Sequence, residues 1–215
     1  MDRIFAIGDI HGCLEKLITL MNKIPIDSDR DVLLFIGDYI DRGDESKEVV
    51  DYLVELKKKI KSTVFLLGNH EHMFLDYLSG RNIQPFLYNG GQKTLDSYAG
   101  GHRVTSHKDP RIVFPQEHLD FFNALQPYYE VEEYIFVHAG LRSHIPLEKQ
   151  DIFDLIWIRE EFFYSKFDFG KSIIFGHTPF PQPFILNRRI GIDTGAVYGN
   201  KLTCLELPDL RFYSA

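Results

Sequence analysis

At 215 residues, 44% hydrophobic and 26% charged, the chain is long enough to bury one substantial core and short for two equal ones. A formal net charge of -7 argues against a scaffold held to nucleic acid by phosphate neutralisation, so no nucleic-acid partner is expected. Cys13 and Cys204 are the only cysteines and lie far apart without CxxC spacing, which leaves a disulfide framework or thiolate zinc knuckle little support and fits a reducing cytoplasm.

Residues 3–7, 32–36 and 61–67 are short runs rich in β-branched and aromatic residues, each closed by glycine, and they read as buried parallel strands. Between them, Leu14, Leu17, Ile18 and Met21 recur at helical spacing, as do Val49, Val50, Leu53, Val54 and Leu56. The alternation predicts an α/β layer. Lys57, Lys58 and Lys59 then read as a solvated helix end that complements the dipole. From 79 to about 127 the text changes to polar and aromatic stretches broken by glycine and proline, and it predicts a largely helical cap inserted into a single domain spanning 1–215. Strand signals return at 134–137 and 172–175, with an amphipathic helix over 152–163 between them. Residues 190–192 and 202–207, separated by Tyr198-Gly199-Asn200, predict a hairpin that supplies a second sheet. No segment approaches the roughly 20 apolar residues of a membrane helix, and no leader pattern opens the chain, so neither membrane insertion nor export is expected.

Short apolar runs repeatedly end in glycine beside a metal-ligand residue type: Gly8-Asp9-Ile10-His11-Gly12, Gly37-Asp38-Tyr39-Ile40-Asp41-Arg42-Gly43, Gly68-Asn69-His70-Glu71, His138-Ala139-Gly140, Gly176-His177-Thr178 and Ile192-Asp193-Thr194-Gly195. A strand that stops at glycine can turn sharply and aim the next side chain into the crevice at its carboxyl end. If those ends converge, Asp9, His11, Asp38, Asn69, His138 and His177 form an oxygen and nitrogen set without sulfur, suited to Mn²⁺, Fe or Zn²⁺. Such a set exceeds the needs of one catalytic ion with open positions and suits two ions sharing a carboxylate, which is the chemistry of phosphate-ester hydrolysis.

In order and spacing, these blocks resemble the PPP family of metal-dependent serine/threonine phosphoprotein phosphatases, within the calcineurin-like metallophosphoesterase superfamily. The short bacterial and phage members are the most similar, on Tyr88-Asn89-Gly90-Gly91, Leu155-Ile156-Trp157-Ile158-Arg159-Glu160 and Ile192-Asp193-Thr194-Gly195-Ala196-Val197-Tyr198-Gly199. The resemblance implies a two-sheet sandwich flanked by helices, and a pair of divalent ions, Mn²⁺ foremost. Asp9, His11 and Asp38 would hold one ion, and Asp38, Asn69, His138 and His177 the other, with a bridging hydroxide attacking phosphorus directly. It further implies that His70 protonates the leaving group, Asp41 orients His70, and Arg42 and Arg159 clamp phosphate oxygens.

The expected substrate is a phosphorylated protein or peptide, as a phosphoserine, phosphothreonine or possible phosphotyrosine monoester. Two alternatives stand beside it: symmetrical hydrolysis of diadenosine tetraphosphate, a dinucleoside polyphosphate, and an inactive module that only binds phosphoproteins. Other residues read as structural. His102, His107, His118 and His144 are expected on exposed loops or the cap, and His72 near enough to support a metal ligand. Glu71 and Asp193 are read as local hydrogen-bonding groups, and Cys13 as a small buried side chain near a helix start. In Phe121-Phe122 and Phe162-Phe163, one ring of each pair is expected in the core and its neighbour over the cap.

Overall fold

The computed structural model describes residues 3–106 and 109–215, so the expectation for His107 lies outside the described residues. In chain order the elements are β1 Ile4–Ile7, α1 Leu14–Met21, β2 Val32–Phe35, α2 Ser46–Lys59, β3 Thr63–Phe65, α3 Asn69–Leu78, α4 Ile83–Phe86, α5 Gln92–Tyr98 and α6 Gln116–Asn123. There follow β4 Tyr128–Glu130, β5 Tyr134–Val137, α7 Ile152–Trp157, α8 Glu160–Phe163, β6 Ser172–Phe175, β7 Phe184–Leu186, β8 Arg189–Gly191, β9 Thr203–Leu207 and β10 Arg211–Ser214.

Two five-stranded mixed sheets pack face to face, in the orders β10-β9-β1-β2-β3 and β4-β5-β6-β8-β7. The period-two alternation of the strands explains the layering. Ile4, Ala6, Leu34, Ile36 and Leu205 point inward from one sheet and meet Phe136, Ile174 and Ile190 from the other. Their sequence neighbours Phe5, Ile7, Leu33 and Phe35 point outward into a core shared with Leu17, Val49, Leu53, Phe74, Leu95 and Phe122 of the helices. Ile135, Val137, Ile173 and Phe175 do the same on the far side with Leu155, Ile156, Phe162 and Phe163. Helix, sheet, sheet and helix therefore form four layers, and β1, β2 and β3 are parallel.

The hairpin expected from 190–192 and 202–207 does not form. β8 lies parallel to β6 and antiparallel to β7 in one sheet, whereas β9 pairs antiparallel with β1 and β10 in the other. Both segments carry strand periodicity, but they oppose each other across the sandwich core. The chain between them crosses from sheet to sheet, turning at Gly195 (φ 73) and Gly199 (φ 87). The tight turns sit elsewhere: Asn187 and Arg188, with φ of 46 and 61, form the two-residue connection between β7 and β8.

The single helix expected over 152–163 breaks at Arg159, whose φ of -130 and ψ of -113 leave the helical region between α7 and α8. Both rings of Phe121-Phe122 and of Phe162-Phe163 are buried, so neither pair divides between core and cover. His118 is also buried, bonded to the Tyr98 hydroxyl at 2.8 Å and to Asp51 at 2.9 Å. One face of α6 simply inserts deeper than its mixed composition suggests. Within 79–127, α5 packs on α2 through Ser97, whose hydroxyl accepts from the Lys47 N–H (2.9 Å) and donates to Glu48 (2.8 Å). Among the described residues no helix is long and apolar enough to cross a membrane.

Candidate active site

The ends of β1, β2, β5, β6 and β8, together with the loop from β3 into α3, deliver Asp9, Asp38, His138, His177, Asp193 and Asn69 to one edge of the sandwich. Reaching that point strains the backbone. His11 (φ 47), Asp38 (φ 53), Asp41 (φ 71), Arg42 (φ 67) and His177 (φ 63) all adopt the left-handed region that bulky residues avoid. Glu71 shows what holds the loop of β2 in place: its buried carboxylate accepts from the backbone N–H groups of Asp38 (2.9 Å), Tyr39 (2.8 Å) and Ile40 (3.3 Å). The sequence reading gave Glu71 only a local role; its reach across to residues 38–40 has no signature in spacing. Gly68 completes the fit, because a Cβ there would collide with the Asp38 carboxylate.

Two groups of donor atoms lie within 4.8 Å of one another, His11 with Asp38 and His70, and Asp38 with His138 and His177. Asp38 belongs to both. Its Oδ2 is 3.4 Å from His11 Nε2 and 3.9 Å from His70 Nε2, and its Oδ1 is 3.4 Å from His138 Nε2. Asn69 Oδ1 lies 3.0 Å from His138 Nε2 and 2.9 Å from His177 Nδ1. Asp9 stands beside them, its oxygens accepting from the His177 backbone N–H at 3.0 and 3.3 Å. Asp193 is buried as well; it accepts from the Gly195 N–H at 2.9 Å and adds negative charge beside Asp9.

The donor chemistry fits divalent cations. His11 Nδ1 bonds the Ile40 carbonyl at 2.8 Å and His138 Nδ1 the Ile36 carbonyl at 3.0 Å, so each Nδ1 carries the proton and each Nε2 faces the carboxylate of Asp38. A lone pair aimed at an oxygen needs a proton or a cation between them. The buried His177 Nε2 and His70 Nε2 have no protein hydrogen-bond partner. Burial, then Asp193 and Asp38, push the Asp9 carboxyl well above the usual range. Burial would raise Asp38 too, but the imidazoles of His138, His70 and His11 hold it well below. Burial lowers His11 well below the usual imidazole value and, with His138 beside it, takes His177 down to about 2. Burial would lower His138 as well, but Asp38 beside it raises it above the usual imidazole value. His11 and His177 as neutral imidazoles and Asp38 as a carboxylate are in the form that metal binding requires, whereas Asp9 and His138 would each release a proton to a bound cation.

His70 Nδ1 lies 2.7 Å from Asp41 Oδ2, both side chains being fully enclosed. Thr94, unremarked in the sequence, donates its hydroxyl to Asp41 Oδ1 at 2.6 Å and accepts from the Asp41 N–H at 2.9 Å. Burial lowers His70 to about 4 and raises Asp41, so a single proton on the Nδ1···Oδ2 line is the arrangement the enclosure favours. Arg42 reaches His11 Nε2 at 2.6 Å and lies over the Tyr198 ring at 5.7 Å. Its backbone N–H donates to the Gly90 carbonyl at 3.3 Å, and Gly90 (φ 106) leaves no room there for a Cβ. Arg159 donates to the Thr178 hydroxyl at 3.0 Å, one residue beyond His177. One guanidinium thus stands at each donor group. The His72 ring packs on Phe153, with centroids 5.4 Å apart. Cys13 is half-buried, and burial raises its thiol, so it is no thiolate.

Crowded donors at strand ends, in a two-sheet sandwich flanked by helices, define a metallophosphoesterase. The chain belongs to the calcineurin-like phosphoesterase family, whose sequence profile matches residues 2–209. A curated relative from Geobacillus sp. (strain WCH70), the asymmetrical bis(5'-nucleosyl)-tetraphosphatase PrpE, is 28% identical over 237 residues, covering 99% of this chain and 93% of its own. A solved structure provisionally assigned as a diadenosine tetraphosphatase superposes with a TM-score of 0.77 at 20% identity, covering 100% of this chain and 93% of its own. A mutant of a cold-active protein tyrosine phosphatase follows with a TM-score of 0.73 at 19% identity, covering 100% of this chain and 77% of its own. These two likenesses show the shared fold.

Proposed function

We propose that this chain hydrolyses dinucleoside polyphosphates, cutting them off-centre. Two divalent ions, Mn²⁺ the activating metal, would be held by Asp9, His11, Asp38, Asn69, His138 and His177, with Asp38 between them. The observation that carries the reading is that Asp38 belongs to both donor groups while Arg42 bonds a ligand of one and Arg159 bonds Thr178 beside a ligand of the other, so a phosphate chain would meet a guanidinium at each group. The substrate follows from the relative whose name it is, and that relative's description as asymmetrical gives the off-centre cut.

Bound ions supply charge stabilisation for phosphoryl oxygens and lower the pKa of water. The chain's own residues do the rest. Arg42 and Arg159 orient the phosphate with planar forks. His70 presents Nε2 toward the leaving oxygen and gives it a proton, while Asp41, itself pinned by Thr94 and the Nδ1 bond, keeps the ring from turning. The segment 79–127 is read as a cap of a single domain, and it supplies Thr94, Gly90 and Asn89 to the site. Free thiols at Cys13 and Cys204 accord with a cytoplasmic protein.

A second reading is hydrolysis of phosphoserine, phosphothreonine or phosphotyrosine in proteins. The oriented His70 favours it, since an alkoxide leaves far less readily than a nucleotide and needs the proton more. The same constellation counts against a module that binds phosphate without turnover. The test is metal-stripped and Mn²⁺-restored protein incubated side by side with diadenosine tetraphosphate and a phosphopeptide panel. The proposal expects AMP and ATP only after metal is restored. Faster release of phosphate from the peptides transfers the assignment to the second reading, and a product of two ADP selects the symmetrical cut.

A further inference from the structure

The chain's one tryptophan, Trp157, lies at the end of α7, its ring edge-on to that of the site residue His177 with centroids 5.7 Å apart. It also lines a cavity of about 620 Å³, the size of a small-molecule site, with Phe153, His72, Asn89 and Asp76 among the other walls. Asn89 is shared with the hollow under Arg42, Tyr88 and Tyr198, so the two depressions meet beside the phosphate-handling residues.

The charges in the cavity decide what it can accept. Asp154 holds Arg142 with both oxygens at 2.6 Å, and Glu161 lies 3.5 Å from the same guanidinium. Asp76 accepts from Arg81 and Asn82, each at 2.8 Å. Three carboxylates along the walls therefore stand against two guanidiniums, Arg142 with Asp154 and Glu161, and Arg81 with Asp76, and both guanidiniums are already engaged, leaving an excess of negative charge. A phosphate or an acidic peptide would be repelled. A flat, uncharged group with amino hydrogens at its edge would find the opposite: aromatic surface at Trp157 and Phe153, which are 36% and 58% exposed, and acceptor oxygens around it.

We propose that this cavity is a nucleobase subsite, holding the base of the nucleotide whose phosphate lies between His177 and Arg159. The inference rests on the dinucleotide reading given above, and Trp157 reports on it directly because no other tryptophan contributes to the fluorescence. Metal-stripped protein is titrated with adenosine, AMP and ribose 5-phosphate. Adenosine and AMP quench Trp157 saturably and ribose 5-phosphate does not. Phe153→Ala, at an exposed position, raises the AMP midpoint about fivefold, the low end of base–aromatic stacking. No quench by adenosine or AMP, equal quench by ribose 5-phosphate, or stronger quench by a phosphotyrosine peptide than by AMP overturns the subsite. The same wild-type protein, restored with Mn²⁺, is assayed on diadenosine tetraphosphate. Cleavage without quench removes the subsite and leaves the proposed function, whereas quench without cleavage removes the function and leaves the subsite.

Discussion

Five residues that sequence patterns bring to the site, His11, Asp38, Asp41, Arg42 and His177, sit in left-handed backbone that costs roughly 1–3 kcal/mol each and persists only under outside restraint. Glu71 is that restraint for the loop of β2. Replacing it by Gln removes one of the two acceptor oxygens that serve three buried N–H groups, and the expected loss is about 1–3 kcal/mol in urea denaturation together with weaker metal binding. An unchanged midpoint would mean that the loop holds itself. His70→Asn separates positioning from chemistry. Turnover of phosphoserine peptides is expected to fall about 10²–10⁴-fold, and that of diadenosine tetraphosphate, whose leaving group is a phosphate, by distinctly less. Equal losses on both substrates would show that His70 does not serve the leaving oxygen. The glycine-bounded Asp and His residues could be picked from the sequence because residue type and strand end coincide there. Thr94 and the reach of Glu71 could not, since both act through contacts more than thirty residues away in the chain.

At the scale of elements, periodicity was a good guide to which segments are strands and a poor one to which strands pair. Residues 190–192 and 203–207 carry the same apolar alternation because they line the same core from opposite walls, and alternation does not encode the partner. The turn residues were the better evidence: the connection between them is long and glycine-punctuated, unlike a two-residue hairpin. α6 was misjudged for another reason. Its polar residues include His118, which buys its buried place with bonds to Tyr98 and Asp51. Burial depresses the His118 pKa below 6.5, so the unfolded chain takes up the proton first as pH falls. Stability due to this group is complete above pH 6.5 and lost below it. His118→Gln is expected to flatten the acid limb of a denaturation-versus-pH curve; an unaltered slope would show that His118 is as readily protonated folded as unfolded.

For the whole molecule, the two sheets meet through an apolar core, yet their carboxyl ends meet through charged and polar groups that burial alone leaves poorly matched. Cations shared between strands of both sheets would close that edge. Metal at 100 times its dissociation constant adds about 2.7 kcal/mol of stability by mass action, so chelation is expected to lower the melting temperature of wild-type protein and to do little to Asp38→Asn. The α/β layering was readable because helical and strand periods alternate along the chain, and the two-sheet plan came from the family resemblance; the exchange of strands between sheets, which brings Asp193 beside Asp9, was not readable.

The most direct measurement is the number of Mn²⁺ ions bound per chain at equilibrium, by elemental analysis and by the loss of the free-ion EPR signal, in wild-type protein and in Asp38→Asn. Two ions in the wild type, both weakened in the variant, are expected if one carboxylate links the two donor groups. A single ion in the wild type, or a variant that loses one ion and keeps the other at undiminished affinity, would contradict the shared centre.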